Sequence, residues 1–239
     1  MQAIHPPDTF DFACSPEVPC FNHCCGDLNQ FLTPYDILRL KHRLNLPSDR
    51  FLEAYTDCHT GPGTGLPVVT LKTAGPADRT CVFLTPAGCA VYADRPSSCR
   101  MYPLGRVVSR CRTSGKTTER FFLLREPHCR GFDRGQADTI AGWMAAQGLG
   151  PYNAVNDLLL DIVSLKNRLH PGPLDAPLRR LFYTVCYDID PFRQQIDPHR
   201  PHPPDNPSVQ PKGNALHNDI ELLKLGLRRL AQAMKEKSS

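Results

Sequence analysis

Residues 10–25 read FDFACSPEVPCFNHCC, which places Cys14, Cys20, Cys24 and Cys25 in one short stretch. Cys81, Cys89, Cys99, Cys111 and Cys129 follow, and Cys58 and Cys186 stand apart, giving 11 cysteines in 239 residues. Thiolates are soft ligands for zinc or iron–sulfur clusters, whereas scattered buried cysteines act only as small hydrophobes. Cys20-x3-Cys24 sets two sulfurs within one turn, a workable bite for one metal. Cys24 and Cys25 are adjacent, and successive side chains of an extended backbone point apart. Two such thiolates serve different metals, or different corners of one cluster, rather than one compact tetrahedral zinc. The paired C-x2-C knuckle of simple structural zinc sites does not occur in the chain. Cys14, Cys20, Cys24, Cys25, Cys81, Cys89, Cys99 and Cys129 are therefore eight candidate metal ligands, enough for two four-thiolate sites. Cys111 is a spare or an alternate. Neither a ferredoxin run nor the C-x3-C-x2-C of radical chemistry is present.

Composition narrows the class. With 41% hydrophobic residues the chain can build a core without disulfides. A net charge of +4 is too mild to mark a nucleic-acid binder. The opening MQAIHPPDTFDF has no apolar run of signal-peptide type, and no stretch reaches the roughly 18 apolar residues of a membrane span. The expected compartment is the cytoplasm, where thiols stay reduced. An odd cysteine count and the Cys24-Cys25 pair also fit a disulfide scaffold poorly.

Along the chain, residues 1–12 read as a polar arm. Thr33 is a candidate N-cap with Pro34 at the first helical position, and Ile37, Leu38, Leu40 and Leu44 predict a helix over about 34–45. Pro47-Ser48 can start a second, and Val68–Leu71 reads as a strand. Cys81–Leu84 and Cys89–Tyr92, joined by Thr-Pro-Ala-Gly, predict a hairpin or knuckle, and a second hairpin is expected over 105–124. From about 136 the pattern turns helical, with stripes at Ile140, Trp143 and Met144, at Val155–Leu169, and at Leu178–Val185. Residues 197–213 hold six prolines and read as a solvated linker. Beyond it, Leu216, Ile220, Leu223, Leu227, Leu230 and Met234 alternate steps of four and three. That seam either folds back on the main domain or serves self-association or a protein partner.

At this point the motifs carry a likeness. FDFACSPEVPCFNHCC (10–25), CVFLTPAGCAVYADRPSSCRMYP (81–103) and Cys129 together resemble the YkgJ-like cysteine-cluster family, described as zinc- or iron-chelating and often as iron–sulfur-containing. Its pattern is C-x2-C-x2-C-C, then C-x-F-L, C-x-I-Y and R-P-x-x-C-R-x-x-P elements. The last three fall on Cys81–Leu84, Cys89–Tyr92 and Arg95–Pro103, while the first spacings here are x5 and x3. The resemblance covers about residues 10–130.

Thiolates and a bound metal carry net negative charge, so Arg95 and Arg100 flanking Cys99 are expected at the cofactor, donating to sulfur and balancing that charge. His23 and His128, each beside a cysteine, are minor candidates. The leading expectation is a metal-binding protein with an iron–sulfur cluster, or zinc, serving electron transfer, cluster handling or support of a partner. The cysteine-cluster domain also occurs in a bacterial flagellin lysine methylase, so the resemblance offers a protein-modifying enzyme as a second reading. No nucleotide loop, G-x-S-x-G or H-E-x-x-H accompanies it. A thiol redox sensor is the third. The expected fold is α+β: a loop-rich cysteine module over 1–135 with short antiparallel strands, about five helices in all, a helical region over 136–196, the 197–213 linker and a tail helix over 214–236.

Overall fold

The computed structural model describes residues 1–75, 77–111, 114–199 and 215–238. In chain order the first elements are β1 (Gln2–Ile4), β2 (Thr9–Phe12), β3 (Phe31–Leu32), α1 (Pro34–Leu44), α2 (Ser48–Tyr55), β4 (Thr56–Thr60) and β5 (Pro67–Leu71). Next come β6 (Leu84–Thr85), β7 (Gly88–Cys89), α3 (Ser97–Met101), β8 (Leu104–Arg110), β9 (Thr117–Leu123) and β10 (Gln136–Thr139). Helices complete the chain: α4 (Ile140–Ala146), α5 (Gly150–Asn156), α6 (Leu158–Leu169), α7 (Ala176–Cys186), α8 (Ile189–Ile196) and α9 (Ala215–Glu236). The class is α+β, with the helical residues divided into more and shorter pieces than expected. No helix of the described residues is long and apolar enough to cross a membrane.

Two compact units each draw on two stretches of sequence. Unit 1 takes Met1–Asn29 and Thr73–Asn153; unit 2 takes Gln30–Lys72 and Ala154–Ser239. Residues 30–72, expected inside the cysteine module, thus fold with the C-terminal helices. The greater part of the expected 197–213 linker lies outside the described residues.

In unit 1 the expected second hairpin is present. β8 and β9 pair antiparallel from Leu104↔Leu123 to Arg110↔Thr117. The surprise is the N-terminus, which is not a polar arm. β1 joins the other edge of β9, with Gln2 opposite Leu123, and β2 pairs with β10, with Phe12 opposite Gln136. Thr9-Phe10-Asp11-Phe12 alternates apolar with polar, and Phe10 and Phe12 are both buried. This is the period-2 signature of a half-buried strand. Phe12 is the hub of the unit's core, packing edge-to-face on Tyr102, Phe132 and Trp143 at centroid distances of 5.6, 5.1 and 5.5 Å. Rings in that arrangement gain about 0.5–1.5 kcal/mol per pair beyond area burial.

Unit 2 follows its helix signals closely. Thr33 caps α1 in a reciprocal capping box: its hydroxyl accepts from the Asp36 N–H, and the Asp36 carboxylate accepts from the Thr33 N–H. β5 lies between β3 and β4 in an antiparallel sheet. The tail helix α9 packs on α1, α6, α7 and α8 of its own unit. Leu223, Leu227, Leu230 and Met234 are buried there, with Leu216 and Ile220 half-buried. Close approach is allowed by Gly226, where a Cβ would fall 2.6 Å from the Val185 side chain and 3.1 Å from that of Phe192.

A polar cluster sits inside this helical packing. Lys41 of α1 lies 3.1 Å from Asp190 of α8 and 3.2 Å from Asp219 of α9. Arg193 pairs with both carboxylates, and His42 bonds Asp219 at 2.9 Å. Two fixed cations thus face two anions, each of the four at most 9% exposed, which satisfies the rule that buried charges come paired.

Candidate metal centre

All eight candidate ligands belong to unit 1, although residues 30–72 intervene between Cys25 and Cys81; Cys58 and Cys186 belong to unit 2. Cys186 is buried, and burial pushes its thiol well above the ordinary range. Cys58 lies exposed on β4, and Cys111 is exposed at the turn between β8 and β9.

The first cysteine group is assembled by backbone contacts. The Ala13 N–H donates to the Gly131 carbonyl at 3.0 Å, so Cys14 lies beside the segment that follows Cys129. The Arg130 N–H donates to the Cys20 sulfur at 3.1 Å. Glycine at 131 and 135 permits this crossing. A Cβ on Gly131 would fall 2.5 Å from the Ala13 carbonyl oxygen, and one on Gly135 only 2.0 Å from the Phe12 nitrogen. The Cys14 thiol is pushed up to about 11, by burial first and then by Cys24, Cys20 and Cys129, with Arg95 opposing.

Cys24 and Cys25 end a single 3₁₀ turn, His23–Cys25, whose N–H groups bond back to Cys20 and Asn22 carbonyls. Their thiols share a hydrogen bond, so one holds the proton. That bond lowers Cys24 to about 6 against the cost of burial, and it raises Cys25, with burial, Cys24, Cys81 and Cys99 adding to the rise.

A second group forms around Cys25. The Cys81 N–H donates to the Cys25 carbonyl at 2.7 Å. Two residues on, the Phe83 N–H reaches the Cys81 sulfur at 3.5 Å, and Leu84 of β6 pairs with Cys89 of β7. The expected knuckle is thus a two-pair ladder that folds Cys89 back toward Cys81. Cys99 is carried on α3, entered through Pro96.

The arginines flanking Cys99 have distinct surroundings. Arg95 is half-buried; burial lowers its pKa, while Tyr92, Cys99 and Cys89 act in the opposite sense. Its guanidinium donates to the Tyr92 carbonyl and to Gln147 Oε1. Arg100 donates to the carbonyls of Arg95 at 3.2 Å and Gln147 at 2.8 Å, and also to that of Ala93. Arg100 is therefore a brace for the ligand loop, a use of its fork that motif reading did not foresee. His128 stands 3.3 Å from Glu126, close to Cys24. His23 is exposed.

Among the described residues no three Cys, His, Asp or Glu side chains stand close enough together to hold a metal ion. The thiols are gathered rather than closed into a shell. The donor set still suits a thiophilic metal. Two sulfurs already accept backbone N–H groups, as thiolate ligands commonly do. In addition, the buried Tyr102 hydroxyl has no hydrogen-bond partner among the described residues, although the Cys129 thiol lies near enough to raise its pKa together with burial. A Cys129 sulfur turned into a thiolate would give that orphan hydroxyl an acceptor. Tyr102 was legible only as part of RPSSCRMYP.

Neither curated proteins nor solved structures gave a match to this chain. A family model did: CxxCxxCC, described as "Putative zinc- or iron-chelating domain", matches residues 13–130. That span begins beside Cys14 and ends just after Cys129, so it includes all eight candidate ligands. Residues 13–130, just under half of the chain, thus match the CxxCxxCC domain described as zinc- or iron-chelating.

Proposed function

We propose that unit 1 binds iron as an iron–sulfur centre through Cys14, Cys20, Cys24, Cys25, Cys81, Cys89, Cys99 and Cys129, in electron transfer, cluster handling or support of a partner protein. The observation that carries this reading is the assembly of all eight candidates in one unit from separated stretches of chain. The adjacent Cys24-Cys25 pair, the surplus of thiols over one tetrahedral site and the lack of C-x2-C knuckles favour iron–sulfur over zinc. Such a centre supplies one-electron chemistry when bound. Arg95 balances the negative charge of the thiolates around it, and Arg100 holds the Arg95–Cys99 loop in place through carbonyl contacts. The N–H groups of Arg130 and Phe83 stabilise sulfur charge at Cys20 and Cys81. A reduced compartment such as the cytoplasm would keep the thiols available.

Anaerobic purification followed by an absorption spectrum and by iron, zinc and acid-labile sulfide analysis decides the metal. A brown protein with sulfide and iron in comparable amounts is expected. A colourless protein with stoichiometric zinc and no sulfide contradicts the iron assignment.

A further inference from the structure

We propose that the groove between the edge strand β4 and helix α7 takes an extended, acidic segment of a partner protein. That segment adds as a further strand to β4 and sets a carboxylate against Arg179 and Arg180. The site is built wholly from unit 2 and is independent of the metal-binding reading.

Only one side of β4 is occupied. It stands at the edge of the β3-β5-β4 sheet, pairing with β5 on one side and with no strand on the other among the described residues. Two bonds flanking the ladder fix which backbone groups face which way. The Lys72 N–H donates to the Tyr55 carbonyl and the Gly61 N–H to the Leu66 carbonyl, both at 2.8 Å. Bonded and unbonded pairs alternate in an antiparallel ladder, so Asp57 and His59 spend their backbone groups on Thr70 and Val68. Cys58 and Thr60, opposite Val69 and Pro67, turn theirs outward. Pro67 agrees with this register, because a residue without an N–H loses nothing at an unbonded pair. Leu71, opposite Thr56 at another such pair, donates its N–H to Gln30 instead. The Thr56 N–H already serves the end of α2 by donating to Leu52, so the open stretch runs from Cys58 to Thr60. An exposed edge of this kind is a template for another chain, and Thr56–Thr60 carries neither lysine nor proline to guard it.

Helix α7 supplies the second wall. Ala176, Arg179, Arg180 and Tyr183 follow at steps of three and four, which puts them on one face. With Cys58 and Thr60 of β4, that face lines an open groove of about 370 Å³. The other stripe of α7, Leu178, Phe182 and Val185, is buried. Beyond the helix end, the Tyr187 hydroxyl donates to the Pro67 carbonyl at 3.1 Å and holds α7 against β5. Charge selects the occupant. The lining holds two arginines and His59 but no carboxylate. Both arginines are exposed, and neither guanidinium pairs with an Asp or Glu side chain among the described residues. Guanidinium forks match carboxylates bidentately. Backbone pairing along an edge supplies affinity, and alternate side chains entering the groove supply selectivity.

The test uses the full chain, isotope-labelled for NMR, with a synthetic peptide of alternating Val and Glu and its Val-Lys counterpart. Amide hydrogen exchange in the free protein should be slow at Asp57 and His59 and fast at Cys58 and Thr60. Saturating Val-Glu peptide should protect Cys58 and Thr60 as well, whereas the Val-Lys peptide should leave them fast. Combining Arg179→Glu with Arg180→Glu should weaken the acidic peptide at least about tenfold, with helical circular dichroism unchanged. Equal binding of the two peptides, binding without protection of Cys58 and Thr60, or no binding of the Val-Glu peptide up to about 1 mM overturns the proposal. Protection that grows with protein concentration alone also overturns it, assigning the edge to a second copy of the chain. So does a response of Arg179 and Arg180 to inorganic phosphate with none to the peptide, which makes the groove a small-anion site. Each readout is independent of metal content, so its failure leaves the iron–sulfur reading untouched.

Discussion

Replacing Asp219 by asparagine is expected to destabilise unit 2 by about 3–5 kcal/mol, the cost of breaking a buried charge pair by removing one partner. Asp219 is 2% exposed and stands against Lys41, His42 and Arg193. Without its charge, Lys41 and Arg193 must share Asp190 alone, leaving one excess positive charge inside the helical packing. The tail helix is affected most directly, because Asp219 is its contribution to the cluster. Burial by itself would raise the Asp219 carboxyl, but the His42 hydrogen bond and the Lys41 and Arg193 charges override it and hold it well below the usual carboxylate range. Asp190 is likewise lowered, with burial outweighed by Lys41, the Ser48 N–H and Arg193.

The sign of the pH effect follows. A carboxyl lowered by folding contributes stability that is present above its unfolded value of about 3.9 and is lost as pH falls through the folded value. Urea unfolding of the full chain, followed by helical circular dichroism, should show the wild-type advantage over D219N at neutral pH and its narrowing below about pH 4. A difference under about 1 kcal/mol at pH 7 contradicts a structural role for the cluster.

The second large effect is expected at Gly135. Its Cβ would lie 2.0 Å from the Phe12 nitrogen, 2.4 Å from its Cα and 2.5 Å from its carbonyl carbon. These are backbone atoms of β2, so no rotamer change relieves the clash. Gly135→Ala must push β2 away from β10, which disturbs the Phe12 aromatic hub and draws the Cys14 segment from Gly131. The expected loss is about 3 kcal/mol, at the upper end of ordinary overpacking. Thermal unfolding and metal content should both fall in G135A. Wild-type stability and metal content in this variant would show that the β2–β10 crossing does not hold the cysteine groups in place.

Much of unit 2 was legible because its signals are local. Thr33-Pro34 marked the start of α1, and the 3.6-residue stripes marked α6, α7 and α9 within a few residues. The cysteine constellation was legible for a different reason: its residue types and spacings carry chemistry. The polar-arm reading of residues 1–12 failed because charged and proline neighbours masked the alternation of Phe10 and Phe12. β10 was beyond reach, since Gln136–Thr139 holds no large apolar residue and is a strand only because β2 lies beside it. The division into units was also hidden. It depends on Lys41 finding Asp190 and on Ala13 finding Gly131, contacts between residues more than a hundred positions apart. Short α8, with its buried Asp190 and Arg193, reads as polar until its partners are known.

The most direct measurement is a site-resolved alkylation footprint of the anaerobically purified full chain, read by peptide mass spectrometry before and after metal removal. Cys14, Cys24 and Cys99 are exposed, as are Cys58 and Cys111, so accessibility alone predicts similar labelling of all five. If unit 1 holds metal through its thiols, Cys58 and Cys111 label at once, while the eight candidates resist until the metal is stripped and then react. Immediate labelling of Cys14, Cys24 and Cys99 at the rate of Cys58, unchanged by metal removal, contradicts metal ligation.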